Sequence, residues 1–235
     1  MSDGLDDPRR FHEPHYLRHN ARRQEHLASL GLPLAGRTVL EVGAGIGDHS
    51  SFFLDRGCPT TITEGRPANL DVIRRRYPDV PALHLDLDAP DGALLPRASY
   101  DVVYCYGVLY HLADPRGALD FMASLCRGLL LLETCVDPAP EDRIQVFPEP
   151  RAAAENSLSG RGCRPSRAWV FRELGARFEH VYLPLTQPWH EEFPLDWTTP
   201  PANPFLVRAV FIASRTPLVH PDLVRAVPPL QRRAA

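Results

Sequence analysis

The chain contains no lysine: all 26 of its basic residues are arginine, in a sequence of 235 residues that also carries 25 prolines. Such a bias belongs to composition rather than to function, and the run Arg74-Arg75-Arg76 reads as the solvated face of a helix. A formal net charge of −3 gives no electrostatic case for a nucleic-acid partner. Long hydrophobic runs are missing too. No stretch approaches the roughly 18 apolar residues of a membrane span, and the opening MSDGLDDPRRFHEPHYLRHN lacks the apolar centre of a secretory signal. The expected compartment is the cytoplasm, with no membrane partner. Cysteine is sparse: Cys58, Cys105, Cys126, Cys135 and Cys163 form no C-x-x-C pair, so reduced, buried thiols are expected rather than disulfides or a zinc finger. Internal repeats and low-complexity blocks are absent.

What is present is an alternation of strand and helix signals. HYLRHNARRQEHLASL (15–30) has apolar residues at helical spacing and predicts an amphipathic leading helix ended by Gly31. RTVLEV (37–42) predicts a buried first strand, followed by a glycine loop and a helix over 49–56. TTITE (60–64) and ALHLD (82–86) predict the next two strands, with a helix opened by Pro67 between them. YDVVYCY (100–106) predicts the fourth strand, DPRGALDFMASLCR a helix capped by Asp114, and LLLLETCV (129–136) a fifth strand buried on both faces. After a helix over 166–178, HVYLP (180–184) and PFLVRAVFIAS (204–214) close the pattern as two strands with no helix between them, an antiparallel pair expected at one edge. The expected fold is an α/β Rossmann-like, doubly wound, seven-stranded and mainly parallel sheet with an antiparallel last strand. Residues 1–35 read as an N-terminal helical lid and 36–215 as the domain proper. Insertions at 137–165 and 185–203 are expected to cover the ligand face as lids, and 216–235 to form a loose tail.

The stretch VLEVGAGIGDHS places Gly43, Gly45 and Gly47 directly behind the first strand, where bare backbone lets a ligand approach closely. It breaks the dinucleotide pattern, because Asp48 stands where a third small residue belongs. Glu41 would also repel a pyrophosphate, whereas an ammonium group would be attracted, and S-adenosylmethionine carries an ammonium and no phosphate. Glu64 closes the second strand, where an acid can accept from both ribose hydroxyls, and Asp86 closes the third, within reach of an adenine amino group.

On VLEVGAGIGDHS, TITEGRP, HLDLDAP and YDVVYCYGVLYHLADP the chain resembles the class I S-adenosylmethionine-dependent methyltransferases over about residues 36–136. The resemblance implies the seven-stranded sheet and S-adenosyl-L-methionine as cofactor. It implies Glu41 and Gly43 near the methionine moiety, Glu64 at the ribose, Asp86 and Leu87 at the adenine, and Tyr106 with Gly107 beside the sulfonium, with Ala44, Gly45, Gly65 and Arg66 also expected at the cofactor. Tyr16, Asn20 and Arg23 are placed to fold over the methionine carboxylate. GVLYHLADP is similar to the corresponding stretch of small-molecule and of wobble-uridine tRNA-modifying members, so the motifs leave the acceptor open.

Methyl transfer to a hydroxyl or an ammonium requires a base, and His111, in the loop after the fourth strand, is the candidate. Tyr110 beside it and His190 in TQPWHEEFPLDW are further catalytic candidates. Trp189, Glu191, Arg161 and Arg164 are candidates for holding the acceptor, the arginines suiting an anion. His111, His190 and Glu192 have no metal-ligand spacing, and no metal is expected. The reading is a methyltransferase acting on O or N of a small molecule, in keeping with specialised metabolism, with no nucleic-acid partner. Its alternatives are a carboxylate O-methyltransferase needing no base, a tRNA-modifying methyltransferase, and a cofactor-binding protein without transfer activity.

Overall fold

The computed structural model describes residues 8–151 and 155–234. A short 3-10 turn at Pro8–His12 leads into α1 (Pro14–Ser29), which opens on proline at its first turn and stops at Gly31, whose φ of 57° suits only glycine without strain. The chain then alternates: β1 (Val39–Glu41), α2 (Ser50–Leu54), β2 (Thr60–Glu64), α3 (Pro67–Arg76), β3 (Ala82–His84), β4 (Tyr100–Tyr106), α4 (Pro115–Leu125) and β5 (Cys126–Cys135). A hairpin of β6 (Ile144–Pro148) and β7 (Arg161–Pro165) interrupts the rhythm before α5 (Arg167–Gly175). There follow β8 (His180–Pro184), β9 (Thr186–Gln187), β10 (Arg208–Ser214), β11 (Leu223–Val224) and β12 (Arg232–Arg233). The predicted caps act: Asp114 accepts from the Gly117 amide at the start of α4, and Ser166 from the Trp169 amide at the start of α5.

The central sheet has eight strands in the order β11-β8-β10-β5-β4-β1-β2-β3. Pairs from β5 through β4, β1 and β2 to β3 are parallel, and β10 runs antiparallel to both β5 and β8. The expected antiparallel pair forms at one end of the sheet, with β10 inserted between β5 and β8. One expectation changes. The eighth strand, β11, comes from the segment expected to be a loose tail. That segment is docked, with β12 pairing β9 and Gln231 knotting it down. The Gln231 amide donates to Pro184 O at 2.6 Å and accepts from Trp197 Nε1 at 2.6 Å and Gln187 Nε2 at 3.0 Å. Leu223 is buried and Leu218 and Val227 pack against the cores, but the strands of this segment are only two residues long, too short to read from pattern.

The central strands divide their side chains between two cores by simple alternation. Val103 and Cys105, Leu130 and Leu132, and Phe211 and Ala213 face the side covered by α4 and α5. Val102 and Tyr104, Leu129 and Leu131, and Val210 and Ile212 face the other, where Leu27 and Leu30 of α1 and Phe52 and Phe53 of α2 cover them. Because β1 is flanked by β2 on one side and β4 on the other, the chain reverses its winding there. A crevice therefore opens at the carboxyl ends of β1 and β4. Among the described residues no helix is long and apolar enough to cross a membrane.

Gln231→Ala should lower unfolding free energy by about 1–3 kcal/mol in a denaturant titration, because it strands the part-buried partners of one side chain. A cost under about 0.5 kcal/mol, the figure for an ordinary surface position, would show the tail to be dispensable.

Candidate active site

The crevice holds a cavity of about 1080 Å³ including its solvent-open mouth, roomy enough for a nucleoside-sized ligand. Its floor is the glycine loop. Gly43, Gly45 and Gly47 have φ of 62°, 60° and 79°, values a side chain adopts only under strain, and a Cβ on Gly43 would run into Val108. Glu41, at the end of β1, is buried and accepts from Ser50 Oγ at 2.6 Å, and its burial pushes its carboxyl up to about 7. Glu64, at the end of β2, accepts from the amides of Gly45 at 2.8 Å and Arg66 at 2.9 Å, and burial raises its pKa against those bonds. The loop amides thus fix the carboxylate at the rim of the glycine turn. Asp86 and Leu87 lie on the adjoining wall, and Tyr106 and Gly107 at the end of β4.

The helix α1 forms the roof. Tyr16, His19, Asn20 and Arg23 lie along one face of it and line the cavity. The Arg23 guanidinium covers Gly107, where a Cβ would come within 3.1 Å of Nη2, and pairs with the fully buried Glu133 of β5 at 2.6 Å. Arg208 of β10 reaches the same carboxylate at 3.2 Å. It also holds Glu192 at 2.6 Å and donates to the Tyr110 hydroxyl at 3.2 Å. Burial pushes the Tyr110 phenol up to about 12, so it stays protonated. His111 also lines the cavity, its Nδ1 2.6 Å from Glu149 Oε1, which leaves Nε2 as the nitrogen free for a substrate. Burial lowers its pKa while Glu149 opposes that shift, and the net direction is down, so the imidazole is neutral at physiological pH.

All the residues expected at the cofactor, from Tyr16 through Glu41 and Glu64 to Gly107, line this one cavity. Of the catalytic candidates, Tyr110 and His111 do so and His190 does not. His190 is buried behind the roof, stacked on His19 with ring centroids 4.8 Å apart. The four expected acceptor contacts lie outside the lining. Trp189 is largely exposed and donates to Ala234 O, while Glu191 pairs with Arg18 on the surface. Arg164 stands over the Tyr110 ring at 5.0 Å, and Arg161 is exposed on β7. The insertion 137–165 does reach the cavity, through Glu155, Asn156, Ser157 and Leu158, whereas 185–203 supports the roof from behind. Glu133, Glu149 and Arg208 escaped sequence reasoning. A single acid inside LLLLETCV and a single arginine inside PFLVRAVFIAS were the available signal, since a charge in a strand buried on both faces needs a partner.

A glycine-floored crevice at a strand-order reversal, with an acid at the end of each of two adjacent strands, defines a nucleoside-cofactor α/β domain. The chain belongs to the methyltransferase domain family, whose model matches residues 14–180. It is a class I S-adenosylmethionine-dependent methyltransferase domain, and S-adenosylmethionine is its cofactor. The residues fit that group: buried carboxylates face a cavity in which a cationic ligand is favoured and a phosphate is not.

The N-terminal domain of EvdMO1, solved in the presence of S-adenosylhomocysteine and D-fucose, shares the fold. It has a TM-score of 0.63 and 20% identity, covering 83% of this chain and 82% of that one. So does magnesium protoporphyrin IX methyltransferase from Synechocystis PCC 6803 with bound S-adenosylmethionine, at 0.58 and 17%, covering 92% of each chain. Among curated proteins, the tRNA U34 carboxymethyltransferase of Hahella chejuensis is 33% identical over 119 residues, 48% of this chain and 36% of that protein. The protein of the same name from Methylococcus capsulatus is 38% identical over 128 residues, 52% of this chain and 39% of that protein. The chain thus spans less than half the length of these relatives. Their names correct the expectation of a small-molecule acceptor and no nucleic-acid partner. The net charge on which that expectation leaned says little about a local surface.

Two outcomes follow. Glu64→Ala should weaken S-adenosylmethionine binding by about 1–3 kcal/mol in calorimetry, and unchanged affinity would remove the ribose role. Affinity should also rise between about pH 6 and pH 8. Glu41, protonated below a pKa of about 7, becomes an anion beside a cationic ligand as pH increases, so binding releases a proton in the lower part of that range. In Glu41→Gln both the slope and the proton release should vanish.

Proposed function

We propose that this chain is a tRNA-modifying methyltransferase, transferring the methyl group of S-adenosylmethionine to an oxygen or nitrogen of a tRNA nucleoside. The observation that carries the reading is its 33–38% identity, over about half of its length, with proteins named tRNA U34 carboxymethyltransferase. Two structural features support it. The β6–β7 hairpin brings Arg161 and Arg164 to the side of the cavity, with Phe147 beneath the Arg164 guanidinium at 5.1 Å, and exposed Phe205 lies close by. Arginine with aromatic side chains at a cavity mouth suits phosphate and an unstacked base. Gly162 on the same hairpin packs against the Tyr110 carbonyl, which couples that surface to the interior of the site.

S-adenosylmethionine supplies an electrophilic methyl on a sulfonium. The chain's own residues hold it and manage the acceptor's proton. The Glu149 carboxylate orients the His111 imidazole through Nδ1, so that Nε2 takes the proton as the acceptor oxygen or nitrogen attacks. Tyr110, kept protonated and held by Arg208, forms a polar wall rather than a second base. The roof of α1 and the residues at 155–158 exclude water and align acceptor and methyl.

Incubation with bulk tRNA and methyl-labelled cofactor, followed by nuclease digestion, should place the label in a nucleoside. Label that appears only in a metabolite extract would overturn the reading. With tRNA as acceptor, His111→Ala should cost about 10²–10⁴ in turnover. Turnover should fall on acidification through a pKa below the ordinary histidine value, because only the neutral imidazole accepts a proton. Glu149→Gln should move that limb to lower pH still, since the lost carboxylate favoured the protonated ring. Turnover of His111→Ala within about tenfold of the parent would exclude a histidine base.

A further inference from the structure

Behind the roof of the cavity lies a cluster that the transfer chemistry leaves unused. α1 carries His15 and His19 four positions apart, on one helical face, and both turn toward the segment 188–193 that leads into β10. His15 Nε2 lies 3.3 Å from Glu192 Oε1, and His19 Nε2 lies 3.7 Å from Glu192 Oε2. The three ligand atoms offered by His15, His19 and Glu192 all fall within 4.8 Å of one another. We propose that His15, His19 and Glu192 form a binding site for one divalent transition-metal ion of the zinc class, which latches α1 onto the segment 188–193.

Several observations carry this assignment. A tetrahedral zinc ion with ligands at about 2.0–2.2 Å places its donor atoms about 3.4 Å apart, which His15 Nε2 and Glu192 Oε1 match at 3.3 Å, and a small movement of His19 completes the set. The His19 side chain is only 3% exposed, yet its Nε2 has no hydrogen-bond partner among the described residues. An unsatisfied imidazole nitrogen in the interior is costly, and a metal ion is one of the few partners that answers it. Two imidazoles with one carboxylate favour zinc over calcium or magnesium, which take all-oxygen shells.

Arg208 and Arg23 stand near His19, and each is paired with a carboxylate, Glu192 and Glu133, which offsets their repulsion of a cation. Arg208 holds Glu192 through Oε2, which leaves Oε1 for the ion and orients the carboxylate as an outer partner should. His190 stacks on His19 and presses the rings into place. A second set, His15 with His190 and Glu191, also comes within range, but Glu191 is exposed and engaged by Arg18. The buried carboxylate of Glu192 is the better donor. Because His19 also lines the cavity, an ion there would help to fix the roof.

The test uses the full chain stripped with a chelator, then titrated with zinc against a chromophoric competitor, with cobalt(II) as a spectroscopic stand-in. One equivalent of zinc should bind, and the cobalt form should show the visible bands of a tetrahedral site. His15 is half exposed, so His15→Ala should leave the fold intact while weakening zinc at least about tenfold and abolishing the cobalt bands. Glu191→Gln and the remote surface variant His84→Ala should each stay within about twofold of the parent protein. Absence of stoichiometric uptake, or unchanged affinity in His15→Ala, would overturn the site. A tenfold loss in Glu191→Gln would overturn the assignment to Glu192. No turnover is measured, so these outcomes are separate from the acceptor's identity.

Discussion

The architecture turns on one buried carboxylate. Glu133 lies in the middle of the sheet with no exposure to water and is held by Arg23 from the roof helix and Arg208 from the last long strand. Neither arginine is there for solvation of its own: each is buried, and each would be costly without the acid. Removing any one member of such a group strands the others, at a cost of about 3–5 kcal/mol. The pair of arginines also sets the site. Arg23 closes over Gly107 where the fourth strand ends, and Arg208 holds both the Tyr110 hydroxyl and Glu192. One anion therefore places the roof, the polar wall and the far loop with respect to the strand ends.

The parallel half of the fold was legible in the sequence because its signals are local. Apolar and β-branched runs, glycines at alternate positions and prolines at helix starts mark β1, β2, β4, α3 and α4 without reference to anything distant. The positions expected at the cofactor are likewise adjacent to strand ends, and strand ends can be read from pattern alone. The antiparallel half was less legible. Whether β10 lies inside the sheet or at its edge depends on which neighbour it pairs with, and Arg208↔Cys135 is a contact between residues far apart in the chain.

Charge partners were the other blind spot. The fixed members of the site, Glu133, Glu149 and Arg208, each owe their role to a residue on another element, so no window of sequence contains the pair. His15 and His19 sit in plain view as H-x-x-x-H, but that spacing gains meaning only when Glu192 arrives opposite them. The tail misled for a different reason. Its strands are two residues long, and the partners of Gln231 (Gln187, Trp197 and the Pro184 carbonyl) lie far away in the chain, so no local pattern marks the attachment.

The insertion of β10 between β5 and β8 also bears on how the molecule comes into being on the ribosome. The chain is made from its amino end, so β5 and its Glu133 exist well before Arg208 does. Until residues 208–214 emerge, β5 and β8 each present an open strand edge, and the carboxylate at the centre has only half of its cationic shell. The pocket cannot be finished in stages; it closes as one of the last acts of folding. During synthesis the incomplete sheet is therefore the species most exposed to mispairing and most in need of a chaperone's shelter.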